Sequence, residues 1–352
     1  MTDGETEAEA AEIARRASTL LGRRVLRITA PAARDQASWR IHLSDATVIV
    51  TRRPDPERAA RERLVLTRLA PLTDAVPRLL AAEGELTIQS DLGRDRLSVA
   101  AHRADIRQRR ILAQSAVASI LSVQRAAVTA GLAEEPALPA VGLDAQITGR
   151  RLDMIAALAH ALGAEPPAMD RALVTEAMAV APAGFVRGDC RAGNAVLDAA
   201  GRVRWFDFED AGRGPGAEDF VRLMNDETWP VPPEEMLDII AAGLDPRDTD
   251  DPSAYIADLR ARAVLHAGGR LGRILRRAHR EGWQSPADIL RRDRLGTHPA
   301  MAAALADRAA QLAAACPLCH GAAPVFVMAG RAVRAVWKEP KSDEIASPPG
   351  ST

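Results

Sequence analysis

The loop Arg187-Gly188-Asp189-Cys190-Arg191-Ala192-Gly193-Asn194 is followed, after a short run of chain, by Asp207-Phe208-Glu209. A carboxylate, an amide five residues on and a second carboxylate beyond them form the side-chain set that phosphoryl transfer needs. One carboxylate must lie beside the attacking hydroxyl, and separate oxygen ligands must hold Mg²⁺ against nucleotide phosphates. Asp189 suits the first task, and Asn194 and Asp207 suit the second.

The residues between them predict how these groups meet. Ala195-Val196-Leu197 and Val203-Arg204-Trp205-Phe206 are short apolar runs joined by the turn signal Asp198-Ala199-Ala200-Gly201. A hairpin of that kind carries Asn194 at its start and Asp207 at its end. Antiparallel pairing brings the two ends side by side, within reach of one metal ion. By itself, an Asp-x-x-x-x-Asn spacing would be read as turn and capping residues; the longer pattern carries the chemistry.

This segment resembles the aminoglycoside phosphotransferase-like family, the small-molecule branch of the protein-kinase fold. There a His-Gly-Asp loop with Asn five residues on precedes an Asp-Phe-Glu or Asp-Trp-Glu metal site. The likeness runs on through Asp210-Ala211-Gly212-Arg213-Gly214-Pro215-Gly216 to Asp219. It implies an α+β, two-lobed protein-kinase-like fold, with a small β-sheet lobe carrying one key helix and a larger, mainly helical lobe. It implies an ATP-dependent, Mg²⁺-requiring phosphotransferase acting on a hydroxyl of a small molecule, with Asp189 catalytic, Asn194 and Asp207 on the metal, and Asp219 structural. The family histidine before Gly-Asp is Arg187 here. That departure supports the rival reading, a pseudokinase serving as a nucleotide- or partner-binding scaffold.

A chain of 352 residues, 47% of them hydrophobic, has material for two lobes with a sizeable core. Only 3% of the residues are aromatic, which favours a helix-rich body. A net charge of -1 gives no global attraction to nucleic acid or to an anionic membrane. No apolar run is expected to reach transmembrane length, and the acidic start Met1-Thr2-Asp3-Gly4-Glu5 is unlike a secretory signal, so a cytoplasmic protein is expected. Three cysteines are too few for a disulfide framework. Cys316-Pro317-Leu318-Cys319-His320 spells a haem-attachment pattern, which would be expected in an exported protein; read as a metal site it offers three ligands without a second pair, so coincidence or helix-end packing is the expectation.

The elements that must position the site follow from pattern. Glu7 to Leu21 predicts an amphipathic helix; Val25 to Ile28, Trp39 to Leu43 and Thr47 to Thr51 predict strands. Asp55-Pro56-Glu57 opens a helix running to about Leu69. On it Glu62, Leu66 and Leu69 share a face, so an acid lies among packing residues and needs a cation. The resemblance pairs such a helix glutamate with a strand cation, usually lysine. The only lysines here are Lys338 and Lys341, in the tail. Arg52 is therefore the expected partner and phosphate clamp, with Thr51 and Arg53 flanking it and strand alternation deciding which side chain enters the cleft.

Thr29 to Ser38 stands where a phosphate loop belongs and lacks Gly-x-Gly. Leu86-Thr87-Ile88 predicts the last small-lobe strand, leading to a hinge whose backbone from Ser90 to Leu92 would receive adenine. The small lobe then spans residues 1–93 and binds nucleotide, and 94–335 is the helical lobe. Its helices are expected at Ile111 to Ala127, Leu152 to Leu162 and Ala168 to Ala179, with later starts at Asp251-Pro252 and Ser285-Pro286. Residues 336–352 read as a disordered tail. An acidic block from Glu234 to Asp251 precedes a basic one from Arg260 to Arg280. Facing the cleft, the first would suit a cationic substrate and the second an anionic one; both could equally be solvated faces.

Overall fold

Asp55 accepts the backbone N–H groups of Glu57 and Arg58 at 2.9 and 3.2 Å and so caps a helix whose first residue is Pro56. The computed structural model describes residues 3–29, 38–141, 144–179, 184–293 and 295–336. In chain order the first part comprises α1 (Asp3–Leu21), β1 (Arg27–Thr29), β2 (Ser38–His42), β3 (Thr47–Arg52), α2 (Pro56–Leu69), β4 (Leu79–Glu83) and β5 (Leu86–Ser90). The strands form one antiparallel sheet in the order β1-β2-β3-β5-β4. Most of the expected Thr29–Ser38 loop and nearly all of the expected tail lie outside the described residues.

Two helices sandwich that sheet. Ile13 and Ala17 of α1 join Trp39, Ile41, Val48, Val50 and Ile88 in one apolar cluster. On the other side Val65, Leu66 and Leu69 of α2 belong to the larger core that continues into the helical lobe. Between them β5 is buried on both faces, and β3 reads as the unbroken apolar run Val48-Ile49-Val50.

The chain continues through β6 (Asp95–Arg96), α3 (Leu97–Arg103), α4 (Ile106–Thr129), α5 (Ala145–Ala161), α6 (Arg171–Met178) and β7 (Phe185–Val186). The hairpin β8 (Ala195–Leu197) and β9 (Val203–Trp205), then β10 (Gly212–Arg213), α7 (Ala217–Met224), α8 (Pro233–Gly243), α9 (Pro252–Glu281), α10 (Pro286–Arg292), α11 (Pro299–Ala314) and α12 (Ala323–Val336) complete it. Hydroxyls of α4 seat the hairpin: Ser115 accepts from Val203 N–H at 3.0 Å and Ser119 donates to the Val203 carbonyl at 2.8 Å. Contrary to the expectation of no such run, α4 is long and apolar enough to cross a membrane. Its apolar face, including Ala113, Val117, Ile120 and Ala127, is instead buried in the helical lobe's core. Cys316 and Cys319 are buried free thiols at the α11–α12 turn, and a hydrogen bond from Cys319 holds the Cys316 thiol below its ordinary value; His320 is exposed.

Replacing Asp55 with alanine removes the cap of the helix that carries Glu62. Denaturant unfolding is expected to show a loss of about 1 kcal/mol, and an unchanged midpoint would mean that the cap contributes nothing.

Candidate active site

Gly188 places the loop before the hairpin. Its φ of 89° suits glycine, and a side chain there would run into the Asp210 carbonyl. The same loop is pinned from α7, where the buried Asp219 carboxylate accepts Arg187 N–H at 3.0 Å and Gly188 N–H at 3.3 Å. Gln124 of α4 adds a donor to Asp219 at 3.1 Å. These contacts are structural, as expected for Asp219.

Arg187 is 2% exposed and lies between the rings of Trp205 and Phe208, 5.1 and 5.2 Å from their centroids. Its guanidinium donates to the backbone carbonyls of Asp189, Phe206 and Asp207. The residue that departs from the resembled pattern therefore ties the Asp189 loop to the Asp207 loop.

Asp189, Asn194 and Asp207 come together as the hairpin argument requires. Asn194 Nδ2 donates to the Asp189 carboxylate at 2.8 Å, and the Asn194 carbonyl accepts from Phe206 N–H at 3.1 Å. Burial works to raise the Asp189 carboxyl, but Arg191 and then Arg187 and Arg222 hold it below the usual carboxylate range. Arg191 is the dominant partner, bridging Asp189 at 2.9 Å and Asp293 at 3.2 Å. Burial pushes the Asp293 carboxyl up to about 6 against the pull of Arg191.

Asp207 has φ 68°, an uncommon left-handed conformation for a residue with a side chain, costing about 1–3 kcal/mol. Oxygen donors suit Mg²⁺, which binds through one or two carboxylates with phosphates and water completing its shell. Asp207 offers a carboxylate. Asn194 spends its Nδ2 on Asp189, which leaves its amide oxygen as the atom that could ligate a metal. The donor set fits the ion.

The cation is displaced by one residue from its expected position. Arg53 pairs with Glu62 at 3.3 Å, contacts the Asp207 carboxylate and reaches Glu209 at 2.9 Å. Arg52 turns away, pairing with Glu9 of α1 at 2.6 Å and lying 5.8 Å from the Trp39 centroid. Alternation explains the correction. Val48 and Val50 face α1, so Arg52 shares their side, while Arg53, extending the ladder through its N–H to the Glu85 carbonyl at 2.8 Å, faces α2. Three consecutive apolar residues in β3 hid that parity. Burial opposes the Arg53 charge, yet Asp207, Glu62 and Glu209 hold its guanidinium above its ordinary value. Glu62 is fully buried and also accepts from Phe208 N–H at 3.3 Å.

Ser90 is committed within the small lobe: its N–H donates to the Arg78 carbonyl and its hydroxyl accepts from Arg78 N–H, both at 2.9 Å. With Leu92 it lines a cavity of about 490 Å³ beside Val76, Arg78 and Arg204. From sequence Arg53 stands only as a flank of Arg52; the residues given no role there are Glu209, Arg191 and Asp293. Arg191 and Glu209 stood inside the quoted motifs and signalled themselves by position; Asp293 gave no signal, being more than a hundred residues from Arg191.

Arg53→Met leaves the fully buried Glu62 without its cation and is expected to cost about 3–5 kcal/mol. Arg52→Met, which loses a half-exposed pair, is expected to cost about 1 kcal/mol or less. Equal losses in parallel denaturation curves would contradict this division of roles.

Comparison with known proteins agrees with this geometry. No curated protein matches the chain in sequence. Among solved structures, a choline/ethanolamine kinase family protein from Mesorhizobium loti is similar, with TM-score 0.55 and 14% identity over 93% of this chain and 100% of that one. The gentamicin complex of APH(2")-IIa superposes with TM-score 0.50 at 12% identity, over 82% of this chain and 97% of that one. A GDP complex of aminoglycoside 2'-phosphotransferase-IIIa gives the same TM-score, identity and coverage. At these identities the likeness establishes a shared protein-kinase-like fold. The model of the phosphotransferase enzyme family matches residues 27–255, well over half of the sequence and including Asp189, Asn194 and Asp207, and the chain therefore belongs to that family.

Proposed function

We propose that this small-molecule phosphotransferase moves the γ-phosphoryl group of ATP to a hydroxyl, with Asp189 receiving the acceptor. The observation that carries the reading is the convergence of Asp189, Asn194 and Asp207, joined by hydrogen bonds through Asn194 and by the Arg187 guanidinium. Asn194 and Asp207 would hold Mg²⁺, which when bound neutralises charge on the phosphates. Arg53 is the cation aimed at the same place, and the backbone near Leu92 is the proposed adenine contact. Nucleotide binding is further supported by the GDP complex of a protein of the same fold.

The Asp189 carboxylate is held as a strong acid by Arg191, so it is a weak base toward a free alcohol. Its role is to orient the hydroxyl through a hydrogen bond and to take the proton late, as the hydroxyl becomes acidic on bonding to phosphorus. Arg191 now occupies that carboxylate, and the arriving acceptor shares it. The scaffold reading rested on the loss of a loop-supporting histidine. Arg187 supports the loop through three carbonyls instead, which favours catalysis.

Asp207→Ala is expected to weaken Mg²⁺-dependent ATP binding measured by calorimetry, and equal affinities in the two proteins would remove Asp207 from the metal. Asp189→Asn is expected to retain ATP binding and lose transfer by about 10²- to 10⁴-fold. Acceptor-stimulated ADP release that is the same in both proteins would end the assignment of Asp189.

A further inference from the structure

Three arginines gathered around His266 have no hydrogen-bond or ion-pair partner among the described residues. Arg151 of α5, Arg222 of α7 and Arg273 of α9 make no ion pair and no hydrogen bond, and Arg151 Nη1 and Arg222 Nε are buried without an acceptor. They converge because α9 packs between the other two helices. Gly268 and Gly272, one turn apart on α9, lie so close to Ile155 and Met154 of α5 that neither site has room for a side chain. On α9, Arg262, His266, Arg270 and Arg273 fall on one stripe at helical spacing.

Most carboxylate oxygens of this region are engaged, although Glu218 Oε2, whose charge acts on Arg151, is buried without a hydrogen-bond partner. Glu227 is held by Arg270 at 2.7 Å and by Gly296 N–H, and Glu218 and Asp258 are held by Arg262 at 3.4 and 2.6 Å. Asp226 accepts Ala192 N–H at 2.8 Å, and Asp219 holds the catalytic loop. Excess positive charge remains. Burial, with Arg151, Arg222, Arg270 and Arg273 around it, drives the 7% exposed His266 well below its ordinary value, and its Nδ1 also lacks a partner. Burial and three neighbouring arginines bring Arg151 down to about 10 despite Glu218. Buried cations without counter-ions are costly, and an anion removes that cost.

The cluster adjoins the reacting position. Arg222 stands one turn along α7 from Asp219, whose carboxylate holds the backbone of Arg187 and Gly188, and its charge reaches Asp189. It lies toward the helical lobe, whereas Arg53 and the proposed nucleotide site lie toward α2. At its outer end Arg273 is exposed. The acidic block is spent elsewhere: Glu234 pairs with Arg260, Glu235 with Arg110 and Asp248 with Arg125, while Asp251 caps α9.

Resting on the phosphotransferase reading above, we infer that the acceptor carries an anionic group, a carboxylate or a phosphate, which Arg222, Arg273 and Arg151 bind while its hydroxyl meets Asp189. Planar guanidinium forks match both anions. The acceptor is thus a hydroxy acid or a hydroxylated phosphate ester, not an amine.

The test is acceptor-dependent ADP release by the full chain, with products checked by mass, across matched hydroxy acids, phosphate esters, the corresponding neutral polyols and amino alcohols. Turnover is expected with one of the two anionic sets, and which set responds identifies the group. Arg273→Met, at an exposed position that folding tolerates, is expected to raise the acceptor KM about tenfold or more, with a much smaller effect on the KM for ATP. Arg273→Lys should recover part of that loss, and Arg222→Met should act in the same direction if it folds. Turnover confined to neutral or amine acceptors, or an acceptor KM unmoved by Arg273→Met, overturns the anionic acceptor and leaves phosphotransfer standing. No turnover with any set, with wild type and Asp189→Asn alike in ADP release, overturns both.

Discussion

Three backbone carbonyls, those of Asp189, Phe206 and Asp207, converge on the one buried guanidinium of Arg187. Unpaired carbonyls in that position would each carry a desolvation cost, and so would an unpaired guanidinium. The arrangement is therefore satisfied only when both loops are in place. Stacked between Trp205 and Phe208, the guanidinium cannot move to water without opening the core. The spacing of Asp189 from Asp207, on which any chemistry here depends, is set by this group together with the Asp219 anchor behind it.

From that fixed pair the contacts spread to the small lobe. Glu62 receives Phe208 N–H, and Arg53 links Glu62, Asp207 and Glu209. Arg58 reaches Glu209 at 3.2 Å and Arg61 donates to the Glu209 carbonyl at 2.7 Å, so one face of α2 docks on the Asp207–Glu209 loop. Each carboxylate in the network has a cation within reach, which is the condition for burying ions at tolerable cost. The strained backbone of Asp207 persists because its surroundings over-determine it.

The opposite side of Asp189 follows a different rule. There the arginines of α5, α7 and α9 outnumber the carboxylates free to meet them, and partnerless donors are buried. Charge is balanced around Arg53, Glu62 and Asp207 and unbalanced around Arg151, Arg222 and Arg273, where the inferred anion would bind. In a shared fold, such differences in site chemistry separate one activity from another.

Much of this was legible beforehand because it is local. The Asp189, Asn194 and Asp207 set, the hairpin between them and the Asp55 cap each depend on residues within about twenty positions, where turn chemistry and strand period act directly. The kinase-like fold came from the same run of motif. The parity of β3 was not legible, since Val48-Ile49-Val50 is apolar on both faces and only the docking of α1 and α2 decides that Arg53, not Arg52, meets Glu62. Nor was the sense of the charged blocks: which of them meets the rest of the helical lobe depends on how α9 rotates against α5 and α7, elements that the chain separates by tens of residues and, for α5, by about a hundred. Residue chemistry and near-neighbour spacing were determined by the sequence by itself. Which faces meet, and so which charges are left without partners, was decided by tertiary packing, because only packing brings distant helices to one point.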